Sequence, residues 1–160
     1  MPSRPPADAG GFPAYTETVM TPDPQTQPEF YDGVTLKRFL AWVVDALLIV
    51  LICLVIVPFT AFTGLFFFPA LMLVVGFVYR WATLSSGSAT WGMRLVAMEI
   101  RQADDRPLDG GMALLHTFGY TVSVAMAPLQ LISVILMLTS ERRQGLSDLV
   151  LGTVPLNRRR

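Results

Sequence analysis

The chain has 160 residues, of which 52% are apolar and only 15% charged, and its twelve basic side chains balance twelve acidic ones. A soluble domain of this size spends more charge on wetting its surface, and the lack of a basic stripe with interleaved aromatics argues against a nucleic-acid partner. The single cysteine, Cys53, rules out an intramolecular disulfide and a cysteine-based metal cluster, and its place among Leu, Ile and Val predicts a small buried hydrophobe.

Residues 1–33 hold seven of the twelve prolines and five acidic residues against Arg4 alone, a net charge of about −4. So few apolar residues cannot offset the entropy of ordering, and 1–33 reads as a disordered, Pro-rich acidic tail. It lacks the basic start and short apolar core of a signal peptide. The remainder carries eleven basic and seven acidic groups, about +4, which suits contact with anionic headgroups.

A membrane body is expected over 34–157, followed by the basic end 158–160. Three hydrophobic segments mark it, at about 39–57, 62–84 and 112–139. The first is long enough, at about 1.5 Å per residue, to cross a hydrocarbon layer of about 30 Å. From Phe39 to Tyr79 the only formal charge is Asp45. Pro58 is expected to end the first helix, and Pro69 to mark a kink or the first turn of the second. The short uncharged link over 60–64 makes the two a helical hairpin.

Residues 80–111 read as a polar connection. Ser85, Ser86, Gly87 and Ser88 are expected to be flexible, 94–100 to hold a short strand, and Ala103-Asp104-Asp105-Arg106-Pro107 to turn. The third segment, 112–139, carries no formal charge, only His116. As one straight helix it would be about 42 Å long, more than a bilayer needs. Pro128 and Gln130 near its middle leave two forms open, a kinked span or a re-entrant hairpin.

Short loops rich in Lys and Arg stay in the cytoplasm. Lys37 and Arg38 precede the first segment, Arg80, Arg94, Arg101 and Arg106 follow the second, and the loop between has no basic residue. The N-terminus and the 80–111 loop are therefore expected in the cytoplasm, with Trp42, Tyr79 and Trp81 as an aromatic belt at that interface. A full third span would put Arg142, Arg143 and Arg158 to Arg160 outside; a re-entrant one would keep them inside. The fold class is thus an all-α membrane protein, a small bundle of about three transmembrane helices with a short β-like cytoplasmic loop and a disordered N-terminal tail.

Asp45 is the first candidate site residue, because a carboxylate within an apolar span is costly unless paired or protonated. Arg38 lies two helical turns earlier, on the same face and about 10 Å away along the axis. That face must point into protein, where each finds further partners. It reads either as a proton or cation relay or as a polar clamp that holds the helices in register. A re-entrant third segment would also bring Asp148 to Arg38. Enzyme chemistry finds no foothold. Gly87-Ser-Ala-Thr-Trp-Gly-Met-Arg lacks the Lys-Ser/Thr ending of a phosphate loop, no His-Glu-x-x-His or Gly-x-Ser-x-Gly occurs, and one histidine cannot build a zinc site. Ser147, Asp148 and His116 make no credible triad by spacing.

Three stretches carry a family resemblance: Arg38-Phe-Leu-Ala-Trp-Val-Val-Asp45, Gly87-Ser-Ala-Thr90-Trp-Gly92-Met-Arg94-Leu-Val, and Arg143-Gln-Gly-Leu-Ser-Asp148-Leu-Val-Leu-Gly152-Thr153-Val. In this order, over roughly 31–157, the chain resembles the RDD family of bacterial membrane proteins, named for one arginine and two aspartates. Arg38 and Asp45 match the arginine and the first aspartate, and Asp148 matches the second. Thr90, Gly92, Arg94, His116, Gly152 and Thr153 are secondary candidates. The chain departs from the family in having Met93 after Gly92, where lysine is frequent, and His116 where an arginine is frequent. The resemblance implies a multi-pass protein of the bacterial cytoplasmic membrane, and the missing motifs leave no enzymatic activity, cofactor or metal to be expected. It implies a role in transport of an undefined ligand, with cation/proton exchange in some members. The bilayer is the expected partner, together with further copies of the chain or other membrane subunits, since three helices enclose too little space for a private pathway. The alternative is a membrane scaffold or anchor in which the charged residues only lock the helices.

Overall fold

The structure, a computed structural model, describes residues 20–158. Helix α1, Val34–Phe59, buries a single stripe formed by Val34, Ala41, Asp45, Ile49, Cys53 and Val57. The four-residue steps put these side chains above one another on one face. Leu47, Leu51, Leu54 and Val55 on the other faces are more than half exposed, as suits a helix solvated by lipid. Pro58 lies in the last turn, one residue before the helix ends. A short 3-10 turn, Thr63–Leu65, leads to α2, Phe68–Gly87, which has Pro69 in its first turn where a missing N–H costs nothing. Gly76 of α2 lies against Ile49 of α1.

The second helix starts at Phe68 and ends at Gly87, against a hydrophobic segment expected over about 62–84, and it takes in the start of the connection expected to be polar. Residues 80–87, assigned above to the polar connection and including Ser85 and Ser86, form its last two turns, buried on one side by Arg80, Thr83 and Leu84. Polarity marked where the apolar surface stops, not where the helix stops. The helix ends at Ser88, whose left-handed backbone returns its N–H to the Leu84 carbonyl.

The connection is more structured than a β-like excursion. Helix α3, Trp91–Leu95, precedes β1, Met98–Gln102, so the strand expected over 94–100 starts later and its first part is helical. Strand β1 pairs antiparallel with β2, Thr153–Asn157, an element the sequence did not reveal. Pro155 faces Ile100 in this two-stranded sheet, where a missing N–H is tolerated at an edge. The turn at 103–107 forms as expected and is closed by the Arg101–Pro107 bridge.

Part of the expected disordered tail is ordered. Within 20–33 a 3-10 turn, Pro28–Phe30, leads into α1, and Tyr31 is buried with Val154 and Leu156 while its hydroxyl donates to the Pro22 carbonyl at 2.6 Å. Tyr31 and Phe30 supply the apolar area that the overall composition of the segment concealed. Residues 1–19 of the expected tail and 159–160 of the expected basic end lie outside the described residues.

The third hydrophobic segment is two helices, α4, Gly110–Ala125, and α5, Ala127–Thr139, which meet at 115°. Pro128 sits in the first turn of α5, and its ring and missing N–H forbid continuing α4 through that point. Trp81 Nε1 donates to the Gly110 carbonyl at the start of α4, and Thr35 Oγ1 to the Met137 carbonyl near the end of α5. Both ends of the bent pair thus lie beside the N-terminal end of α1 and the C-terminal half of α2. Helix α6, Leu146–Leu151, then leads into β2. By length and composition, α1 and α2 are each able to cross a membrane, and the bent pair makes at most a third span. The core joins the helix ends to the polar cap: Val34, Ala41, Leu84, Met93, Met98, Ile100, Leu108 and Ala113 pack together.

Candidate functional site

Two buried carboxylates organise the junction between membrane helices and cap. Asp45 is 1% exposed and receives hydrogen bonds from Tyr79 Oη at 2.7 Å, Thr90 Oγ1 at 2.7 Å and the Gly92 N–H at 2.9 Å. Arg80 Nη2 stands 3.7 Å from its Oδ2. The second motif explains itself here. Thr90 is the N-cap of α3, accepting from the Met93 N–H while its own proton goes to Asp45. Gly92 has to be glycine because a Cβ would lie 2.2 Å from the Ala41 carbonyl oxygen of α1. Arg94 stays outside this group, donating to the Ala89 carbonyl and lying over Trp91.

Asp148, with no exposed surface, is N3 of α6 and reaches back to the Gly145 N–H at 2.9 Å, one half of a capping box. It also meets Arg38 Nη1 at 2.6 Å, Thr153 Oγ1 at 3.0 Å and His116 Nε2 at 2.8 Å. Gly152 takes a left-handed backbone, φ 65°, that ends α6 and turns Thr153 back onto Asp148. The pairing of Arg38 with Asp148 expected from a returning third segment is formed. Arg38 and Asp45 share a face of α1 but do not bond to each other, and each finds a separate set of partners.

Burial pushes the Asp148 carboxyl up, but the Arg38 charge, the His116 bond and the Gly145 N–H outweigh it and hold the group well below its ordinary 3.8. Asp148 is therefore ionised and accepts from His116, whose Nδ1 is buried without a partner. Because the folded value lies below the unfolded one, the stability this carboxylate contributes is complete above 3.8 and is lost as pH falls further. The melting-temperature difference between the native protein and Asp148→Asn in detergent is expected to stay constant from about pH 7 to about pH 5 and to shrink below about pH 4. A difference already lost at about pH 5 contradicts the assignment.

A cavity of about 300 Å³ lies against Asp45 and against Arg38 and His116, two of the partners of Asp148; Arg80, Tyr120 and Gln130 also line it. Arg80 lies over the Tyr120 ring, 4.0 Å from its centroid, and Tyr120 Oη accepts from Trp42 Nε1 at 3.0 Å. Ser123 Oγ donates to Gln130 Oε1. Among the described residues no three His, Cys, Asp or Glu side chains converge as a metal site would need. By sequence alone Tyr79 reads as a belt aromatic and Arg80 as a loop charge, and nothing in the pattern singles out Tyr120 or Ser123. Arg80 left one usable trace: it follows an apolar run without interruption, within reach of a carboxylate that needed a partner.

Two long apolar helices, a bent apolar pair and a charged junction beneath them define a small α-helical integral membrane protein. The RDD family matches residues 33–152, three quarters of the chain, and the protein belongs to that family. Comparison with curated proteins and with solved structures gives no significant match.

Proposed function

We propose that the protein is a ligand-binding, transport-associated component of the bacterial cytoplasmic membrane, with its N-terminus and polar cap in the cytoplasm and its α4–α5 pair re-entrant. The cavity carries the reading: a space of about 300 Å³ lined by charged and polar groups sits between helices whose outer faces are apolar. Asp45 and Asp148 act there as fixed anchors. Asp45 takes three hydrogen bonds besides the Arg80 charge and Asp148 four, which uses most of what a carboxylate accepts. A cation relay through either needs those bonds to break first. The cavity is small for a private pathway, which supports work with further copies or other membrane subunits.

The scaffold reading is favoured by the same saturation, since locked carboxylates also hold helices in register. Filling the cavity separates the two. Ser123 lines it on α4 and belongs to neither carboxylate group. Ser123→Phe is expected to abolish complementation of a deletion strain, and any ion flux measured in proteoliposomes, with membrane insertion and melting temperature kept near native values. Full complementation by a well-inserted Ser123→Phe protein supports the scaffold instead.

A further inference from the structure

We infer that the cavity takes the anionic head of an amphiphile, a phosphate or carboxylate group carried on an apolar chain; this rests on the cavity being a ligand site. Unused hydrogen-bonding capacity shows what is missing from it. The two carboxylates have most of their accepting capacity filled, but the arginines have most of their donors spare. Arg80, 7% exposed, makes no side-chain hydrogen bond among the described residues, only the 3.7 Å ion pair and the stacking on Tyr120. Arg38 spends one donor on Asp148. A guanidinium has five donors. Among the described residues the buried polar side-chain atoms left without a partner are Thr21 Oγ1, His116 Nδ1 and Thr117 Oγ1, so the spare arginine nitrogens are not sealed in protein but keep accessible surface. Both arginines line the cavity, and Gln130 adds an amide whose nitrogen is uncommitted. Such a wall holds charged donors in excess of the acceptors that meet them, which is the chemistry of an oxyanion site, with planar guanidinium forks suited to phosphate and carboxylate.

The rest of the lining is apolar and faces outward. Phe39, Trp42, Val134 and Leu138 border the same space and are 59%, 46%, 40% and 57% exposed. They belong to α1 and α5, whose outer surfaces are apolar, so the opening gives onto the acyl region and not onto water alone. Arg38 stands in the second turn of α1, at the end of the helix beside the polar cap, which on the topology proposed above is the headgroup level. Charged donors inside and an apolar rim outside match a molecule with an acidic head and a hydrocarbon tail.

Trp42 provides the probe. The full chain with Trp81→Phe and Trp91→Phe is reconstituted in phosphatidylcholine vesicles containing brominated phosphatidylglycerol or, separately, brominated phosphatidylcholine, and quenching of Trp42 is titrated. The expected result is about a five-fold preference for the anionic lipid, the factor that one basic side chain near an anionic surface supplies. Arg80→Gln and Ser123→Phe are each expected to remove the preference, whereas Arg158→Gln, at an exposed site, keeps it. Equal quenching by both lipids in the native-sequence cavity overturns the proposal, and so does a preference that survives Ser123→Phe. Release of the quenching by millimolar sodium phosphate assigns the site to a free anion and overturns the amphiphile. If Arg80→Gln does not insert, the native-cavity ratio and Ser123→Phe still decide. Equal quenching while Ser123→Phe still abolishes complementation removes the ligand class alone; full complementation by Ser123→Phe removes the ligand-site reading beneath it.

Discussion

Arg38→Met is expected to destabilise the protein by about 3–5 kcal/mol, because it leaves Asp148 buried and ionised with its main countercharge gone. Asp148 sits where α6 begins, with no exposed surface, and Arg38 closes its Oδ2 side at 2.6 Å. The three remaining donors, Gly145 N–H, Thr153 Oγ1 and His116 Nε2, carry no permanent charge. Asp148→Asn is expected to cost less, since it removes the charge together with part of the need for a partner, and the double variant less than the two single costs combined. Reversible unfolding in mixed detergent micelles measures all three. Additive costs would mean that the two side chains do not interact.

Gly92→Ala is the second large effect, and it acts through shape. The added Cβ would stand 2.2 Å from the Ala41 carbonyl oxygen and 2.8 Å from Asp45 Oδ1, so α3 has to move off α1. Backbone is the obstacle on one side, and the movement stretches the Gly92 N–H bond to Asp45. Overpacking costs about 1–3 kcal/mol, and leaving a buried carboxylate short of a donor about 1–3 kcal/mol more. Gly87→Ala is the control. There a Cβ would meet only the guanidinium of Arg94, at 2.6 Å, a flexible side chain that gives up at most its bond to the Ala89 carbonyl and its place over Trp91, so its cost is expected to be about 1 kcal/mol. Equal losses for the two variants, read as detergent melting curves, would show that the α1–α3 contact is not the constraint.

The membrane helices were legible because lipid solvation leaves long uncharged runs, and those runs bracket α1 and α2 to within a few residues at most boundaries. What escaped were elements whose signal depends on distant partners. Strand β2 is short and contains Pro155, so local propensity argues against it, and only β1 across the cap makes it a strand. Residues 20–33 looked disordered by composition, yet Tyr31 and Phe30 pack against β2, whose Asn157 donates to the Glu29 and Asp32 carbonyls. At the site, Arg38, Asp45 and Asp148 were visible as charges that an apolar setting cannot leave bare. Tyr79 and Arg80 were not, because an aromatic and a cation at the end of a span also suit a headgroup interface. The second and third motifs fixed their own local geometry: caps at Thr90 and Gly145, and a left-handed turn at Gly152. The partner each carboxylate would take depended on the bend at Met126, which sequence left as one of two forms.

That bend brings Asp148 to Arg38 and closes the cavity, and it sets which face of the membrane the C-terminus occupies. Single cysteines in a Cys53→Ser background read it directly: Ala103→Cys in the cap turn, Arg158→Cys after β2, and Phe62→Cys in the hairpin loop, all at exposed positions. With a membrane-impermeant maleimide, positions 103 and 158 are expected to label only after permeabilisation, and position 62 in intact cells. Labelling of position 158 from outside together with position 62, while 103 stays protected, would place the C-terminus across the bilayer from Arg38 and contradict the site.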